Sequence, residues 1–225
     1  MNVALLRLPL ALAYPLLAHA ASASDSGVLA AVALGDLLLV LLIGPLLRMR
    51  PWALALVLAA VPALAWLAHS PHAQLPLLAP PVLFTGLLCW LFARTLRRGR
   101  SPLITRVVEL TEGPPTPDVA RYTRRLTVAW ALLMGLITVI NATLALVAVP
   151  DGVLARLGHP LPLAVSQAGW SLFANLLNYG LVAGFFLAEY AYRRRRFPNR
   201  PYGNFAGFLR SLTGLGPDGW RELAR

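Results

Sequence analysis

The chain has 225 residues, of which 58% are hydrophobic and 13% charged, with a formal net charge of +11 and a mean hydropathy of +0.65. A soluble domain is nearer half apolar and a quarter charged, so the composition argues against a water-soluble fold and for an all-α integral membrane protein. A transmembrane barrel would show alternating segments of roughly 10 residues instead of long apolar runs, and the single cysteine, Cys89, leaves no intrachain disulfide and no cysteine-based metal site to propose.

Taken in order, the apolar runs predict six spans, at about residues 3–20, 28–47, 51–68, 75–93, 126–149 and 168–192. About 20 apolar helical residues cross a hydrocarbon core of roughly 30 Å. The first run holds a lone Arg7, Pro9 and Pro15, and ends in small residues around His19. We read it as an uncleaved helix; a cleaved signal peptide is the alternative. Pro80-Pro81 predicts a kink in the first half of the fourth span, because proline removes a helix donor and clashes with the preceding turn. Residues 94–125 form the longest polar loop. Leu103, Val107 and Leu110 share a helical face there and predict a short helix at the membrane interface. Thr116-Pro117-Asp118 then supplies a cap, a first-turn proline and an early acid, a helix start that continues into the fifth span.

The sixth run gives the direction. It opens at Trp170, carries no charge until Glu189, and closes on Tyr190, Tyr192 and Arg193–Arg196, matching aromatic residues at two interfaces and a basic cytoplasmic end. All 20 basic residues are arginine, and six spans with both ends inside leave only Arg156 outside. The 94–125 loop carries a net +5 and the chain from Arg193 onward a net +6, so these two pieces hold the entire excess charge. Residues 1–196 are therefore expected to form the bundle and 197–225 a basic cytoplasmic tail. In that tail Phe205, Phe208, Leu209 and Leu212 fall on one helical face, with Asn204 as a cap, predicting a helix laid flat on the inner leaflet.

Residues 101–106 (SPLITR), 120–130 (ARYTRRLTVAW), 170–179 (WSLFANLLNY) and 188–198 (AEYAYRRRRFP) resemble a small family of bacterial inner-membrane proteins. Members of that family are encoded in gene clusters for aryl polyene and xanthomonadin-type pigment lipids, beside fatty-acid-synthase-like enzymes. The similar stretches span a little under half the chain. The resemblance implies an accessory protein of polyene-lipid synthesis or delivery, and it brings no catalytic residue with it.

Asp36 lies near the middle of the second span, and Asn141, Asn175 and Asn178 lie at comparable depth in the fifth and sixth. An ionised group at that depth costs about 2.5–3.5 kcal/mol on insertion scales, so it must face protein or water. Together with Glu189 these residues are the candidate intramembrane polar site. Either they hydrogen-bond between helices, or they bind a headgroup or pass a proton. Glu189 stands four residues before Arg193, the spacing of a favourable helical ion pair. Gly180 and Gly184 would allow helices to pack closely, within the chain as the expectation and between two copies as the alternative. His19, His69, His72 and His159 are scattered over different segments, so no metal and no cofactor is predicted.

Arg94, Arg97, Arg98, Arg124, Arg125, Arg193, Arg194, Arg195 and Arg196 are the candidate contacts for anionic lipid on the cytoplasmic side, or for an acidic protein such as an acyl carrier protein or synthase subunit. Nucleic acid is not an expected partner, since the arginines flank spans and form no recognisable binding module. No Gly-x-Ser-x-Gly elbow and no P-loop occurs, nor a histidine followed four residues later by aspartate. The expectation is a non-enzymatic inner-membrane accessory or scaffold protein of pigment-lipid synthesis. The alternative is a transporter or flippase using the intramembrane polar set, and an unrecognised transferase ranks third.

Overall fold

The computed structural model describes residues 3–97, 99–159, 161–162 and 165–197. They are mostly helical: α1 (Val3–Ala23), α2 (Gly27–Leu47), α3 (Pro51–Ala68), α4 (Ala79–Arg94), α5 (Leu103–Glu112), α6 (Pro117–Val147), α7 (Val153–Arg156), α8 (Gln167–Leu172) and α9 (Asn178–Arg196). A two-residue parallel bridge pairs β1 (Ala148–Val149) with β2 (Val165–Ser166), an element the apolar pattern did not predict.

Among the described residues, five helical stretches are long and apolar enough to cross a membrane: Gly27–Leu47, Pro51–Ala68, Leu75–Arg94, Pro117–Val147 and Gln167–Arg196. The remaining predicted span, α1, is a 21-residue helix carrying Arg7, Pro9, Pro15 and His19, and it is not among the five. Large apolar side chains cover the outside of these helices. Leu58, Trp66, Leu83 and Leu132 are each about two-thirds exposed or more, a surface suited to lipid and not to water.

Helix ends follow local chemistry. Ser26 caps α2, its Oγ accepting from Leu29 N–H at 3.3 Å. Pro51 opens α3 and Pro117 opens α6, where a missing N–H leaves no bond unmade. Pro80-Pro81 behaves differently from the predicted kink. A 3₁₀ turn at Leu75–Leu78 precedes α4, and both prolines sit in the first turn of α4. There a missing N–H is tolerated, and the irregularity in the first half of the predicted fourth span takes the form of this 3₁₀ turn, which runs directly into α4. The tail helix predicted over residues 204–212 lies outside the described residues.

Two compact units are distinguished, Met1–Leu83 with Val139–Gly180, and Phe84–Thr138 with Leu181–Arg225. In the first, α1 packs on α2 and on α8, and α2 on α3. Its core is built from Tyr14, Leu77, Leu78 and Trp170 among eight alanines, including Ala18, Ala30, Ala33 and Ala174. Small side chains let helix backbones approach closely, which is how membrane helices gain packing energy. Gly27 shows the same economy: a Cβ there would overlap the carbonyl oxygen of Ala68. Trp170 is fully buried in this core, so it is not the interfacial anchor that its place at the end of an apolar run predicts.

In the second unit, Cys89 lies against Gly135 and its thiol donates to the Ala131 carbonyl at 3.4 Å, while Thr138 donates to Thr85 at 2.9 Å. Trp130 gathers Phe92, Phe185 and Phe186, with the Phe185 ring edge-on at 4.7 Å. The short helix α5 forms as predicted but turns a threonine face to α6. Thr105 and Thr123 share a 2.8 Å hydrogen bond, and Leu103 N–H donates to Thr95 at 3.0 Å. The glycines Gly180 and Gly184 depart from the expected packing within the chain. Among the described residues, nothing lies within 4 Å of where a Cβ would stand on either, so the chain does not use them to pack.

Candidate functional site

The candidate residues are divided between the two units. Glu189 belongs to the second unit. Its Oε1 accepts the hydroxyl of Tyr122 at 2.9 Å and faces Arg193 Nε at 3.1 Å. The ion pair is nearly dry, with side-chain exposures of 11% for Arg193 and 7% for Glu189. Burial of a carboxylate requires this neutralisation, and Tyr122 supplies a donor beside the arginine. Tyr122 is itself held by Tyr192, stacked at 6.0 Å, and by Phe197, edge-on at 5.3 Å. Around this knot α6 and α9 line a cavity of about 650 Å³.

Of the nine arginines named as contacts, Arg97, Arg124, Arg125, Arg194, Arg195 and Arg196 are exposed. Arg94 is half-buried with its guanidinium 4.6 Å over the Trp90 ring, and Arg98 lies outside the described residues. Arg193 is the exception to the expectation. It is buried against Glu189, so it serves the fold and is not offered to lipid or partner.

The asparagines belong to the first unit and are buried. Asn178 Nδ2 donates to Asn141 Oδ1 at 3.0 Å, tying α9 to α6, and to the Ala174 carbonyl at 3.1 Å. The second bond explains a local departure from the regular helix. Between α8 and α9 the chain makes a π turn, Phe173–Leu177, in which Asn178 N–H reaches Phe173 O. The side-chain amide of Asn178 takes over the Ala174 carbonyl that its own backbone would otherwise satisfy. Asn175 donates to Ser171 Oγ at 3.0 Å, and Ser171 Oγ lies 3.3 Å from His19 Nδ1 on α1. Interhelical hydrogen bonding thus accounts for most of the set. Asn141 Nδ2 and Asn178 Oδ1 nevertheless have no hydrogen-bond partner among the described residues, although buried.

Asp36 is buried on α2 with Oδ2 unpaired, and no hydrogen bond joins it to the asparagines among the described residues. Of the histidines, His19 alone enters this hydrogen-bond network, and no group of three or more possible metal ligands occurs among the described residues. Sequence reasoning missed Tyr122, Ser171 and the role of His19. Tyr122 could have been found, since it lies on the same helical face as Arg125 and Leu126. The pairing of His19 with Ser171 spans 152 positions and leaves no local signal. Compared with known families, with curated proteins and with solved structures, the chain matches none.

Proposed function

We propose that the chain is a multi-pass inner-membrane accessory protein of polyene-type pigment-lipid assembly. It uses a basic, aromatic-lined cytoplasmic face to hold an acidic carrier protein or synthase subunit at the membrane. The carrying observation is the division of labour at the ends of α6 and α9. The one carboxylate in the apolar part of α9, Glu189, is matched by Tyr122 and Arg193, whereas Arg124, Arg125, Arg194, Arg195 and Arg196 remain exposed. Exposed arginines beside tyrosine and phenylalanine rings suit an acidic protein surface, because guanidinium groups bind carboxylates in bidentate fashion. The biosynthetic setting is taken from the resemblance of four stretches between residues 101 and 198 to proteins of pigment-lipid gene clusters.

Orientation is the first requirement of this reading. Reporter fusions after Gly99 and Arg200 are expected to report cytoplasm, and fusions after Gln74 and Gly158 periplasm. Arg156, the one arginine then left outside, is bonded to the buried Asp151 and to the Pro71 carbonyl, which gives it a structural role. A periplasmic signal at Gly99 contradicts the proposal.

A second reading, transport through the membrane, is favoured by the unpaired buried atoms of Asp36, Asn141 and Asn178. Asp36→Asn separates the two. The variant is expected to insert at normal levels, since an amide costs less than a carboxylate at that depth. Accessory function predicts unchanged pigment-lipid output; loss of output at normal protein level would favour transport.

A further inference from the structure

The cavity between α6 and α9 has a polarity gradient along its length. On α6, Asp118, Arg121, Tyr122 and Arg125 line it and are followed by Leu126 and Ala129, a single helical face about 16 Å long. On α9 the order is reversed: Phe185 and Ala188 come first, then Glu189, Tyr192 and Arg196. Apolar residues of both helices therefore line one end, and charged and aromatic residues the other. Trp130 backs the apolar end by packing on Phe185.

The charge in this cavity is not balanced by its own lining. Asp118 is paired with Arg121, and Glu189 with Arg193 and Tyr122. Among the described residues Arg125 and Arg196 form no ion pair, although Arg196 lies 5.9 Å from the Phe197 ring. The lining itself thus carries three arginines against two carboxylates, and with Arg193 holding Glu189, two cations are left over, Arg196 at the polar end and Arg125 beside Leu126. The alanines at the other end leave width where larger side chains would close it. The volume of about 650 Å³ falls inside the range of roughly 300–1,000 Å³ typical of small-molecule sites.

From this juxtaposition we infer that the cavity binds a single-chain acyl compound with a phosphate headgroup. The phosphate lies between Arg125 and Arg196, and the chain runs between Ala129 and Ala188. Guanidinium groups suit phosphate by bidentate hydrogen bonding, and the apolar end removes the first carbons of the chain from water. The same chemistry is offered by a one-chain anionic membrane lipid and by a soluble long-chain phosphate monoester. The inference rests on the membrane placement proposed above but not on the protein partner.

The test uses the full chain in phosphatidylcholine nanodiscs with hexadecyl phosphate carrying a diazirine on its chain. Photolabel is expected on the peptides holding Leu126, Ala129, Phe185 and Ala188. The double variant Arg125→Gln, Arg196→Gln is expected to lose at least tenfold in labelling, and a diazirine-bearing hexadecanol to label the native protein at least tenfold less. Ala129→Phe fills the cavity and is expected to abolish the label. Should that variant misfold, the arginine variant, whose changes are at exposed positions, decides alone. Displacement by lysophosphatidylglycerol identifies the source as membrane lipid, and displacement by a soluble long-chain phosphate monoester such as dodecyl phosphate alone identifies a source outside the bilayer. Labelling spread evenly over the lipid-facing helices, equal labelling by the alcohol, or displacement by neither competitor overturns the inference. A soluble partner crosslinked to the basic face would stand unaffected by that failure.

Discussion

Trp170→Ala is expected to destabilise the purified protein by about 3–5 kcal/mol, the usual cost of removing a buried large aromatic side chain. For a chain of this size that is a fall of about 10 °C in the apparent midpoint, read as loss of the monodisperse peak after heating in mild detergent. The reason is local. Trp170 is fully buried among Tyr14, Ala18, Ala21 and Ala174, and the alanines around it are too small to collapse into the space left behind. Trp170→Phe keeps most of that volume and is expected to lose less than half as much. An unchanged midpoint for Trp170→Ala would return Trp170 to the membrane interface, where its position in the sequence first places it.

The second large effect concerns the buried pair of Glu189 and Arg193. Glu189→Leu leaves a guanidinium at 11% exposure without its carboxylate, and removal of one partner from such a pair costs about 3–5 kcal/mol. Replacing both, Glu189→Leu with Arg193→Leu, is expected to recover most of the loss, because a matched apolar pair avoids the desolvation that the ions incur. Tyr122→Phe removes a hydrogen bond to the same carboxylate and is expected to cost about 1–2 kcal/mol. If the double variant loses as much as the two single variants together, the pair is not the unit described here.

These two sites also mark where sequence reading reached and where it stopped. The helix of Pro51–Ala68 is met residue for residue, and the start at Thr116-Pro117-Asp118 appears as the cap and first turn of α6, because both follow from local chemistry. The Glu189–Arg193 pair was legible for the same reason, being one helical turn apart. Contacts between distant segments were not. Tyr122 meets Glu189 across 67 positions, and Asn178 meets Asn141 across 37. Trp170 misled because an aromatic residue at the end of an apolar run has the same local pattern whether it faces lipid or a neighbouring helix. The π turn at Phe173–Leu177 was illegible as well, since it depends on a side-chain amide capping a carbonyl inside the helix.

The most direct measurement of the account is site-specific photocrosslinking in cells that produce the pigment lipid. A photoreactive residue is placed at Arg124 or Arg195, both exposed at the basic face. The account predicts a covalent adduct with an acidic carrier protein or synthase subunit. That adduct should be lost, together with product, when the surrounding Arg125, Arg194 and Arg196 are changed to Gln. Adducts with lipid alone from both positions, with product unchanged in the neutralised variant, would contradict it.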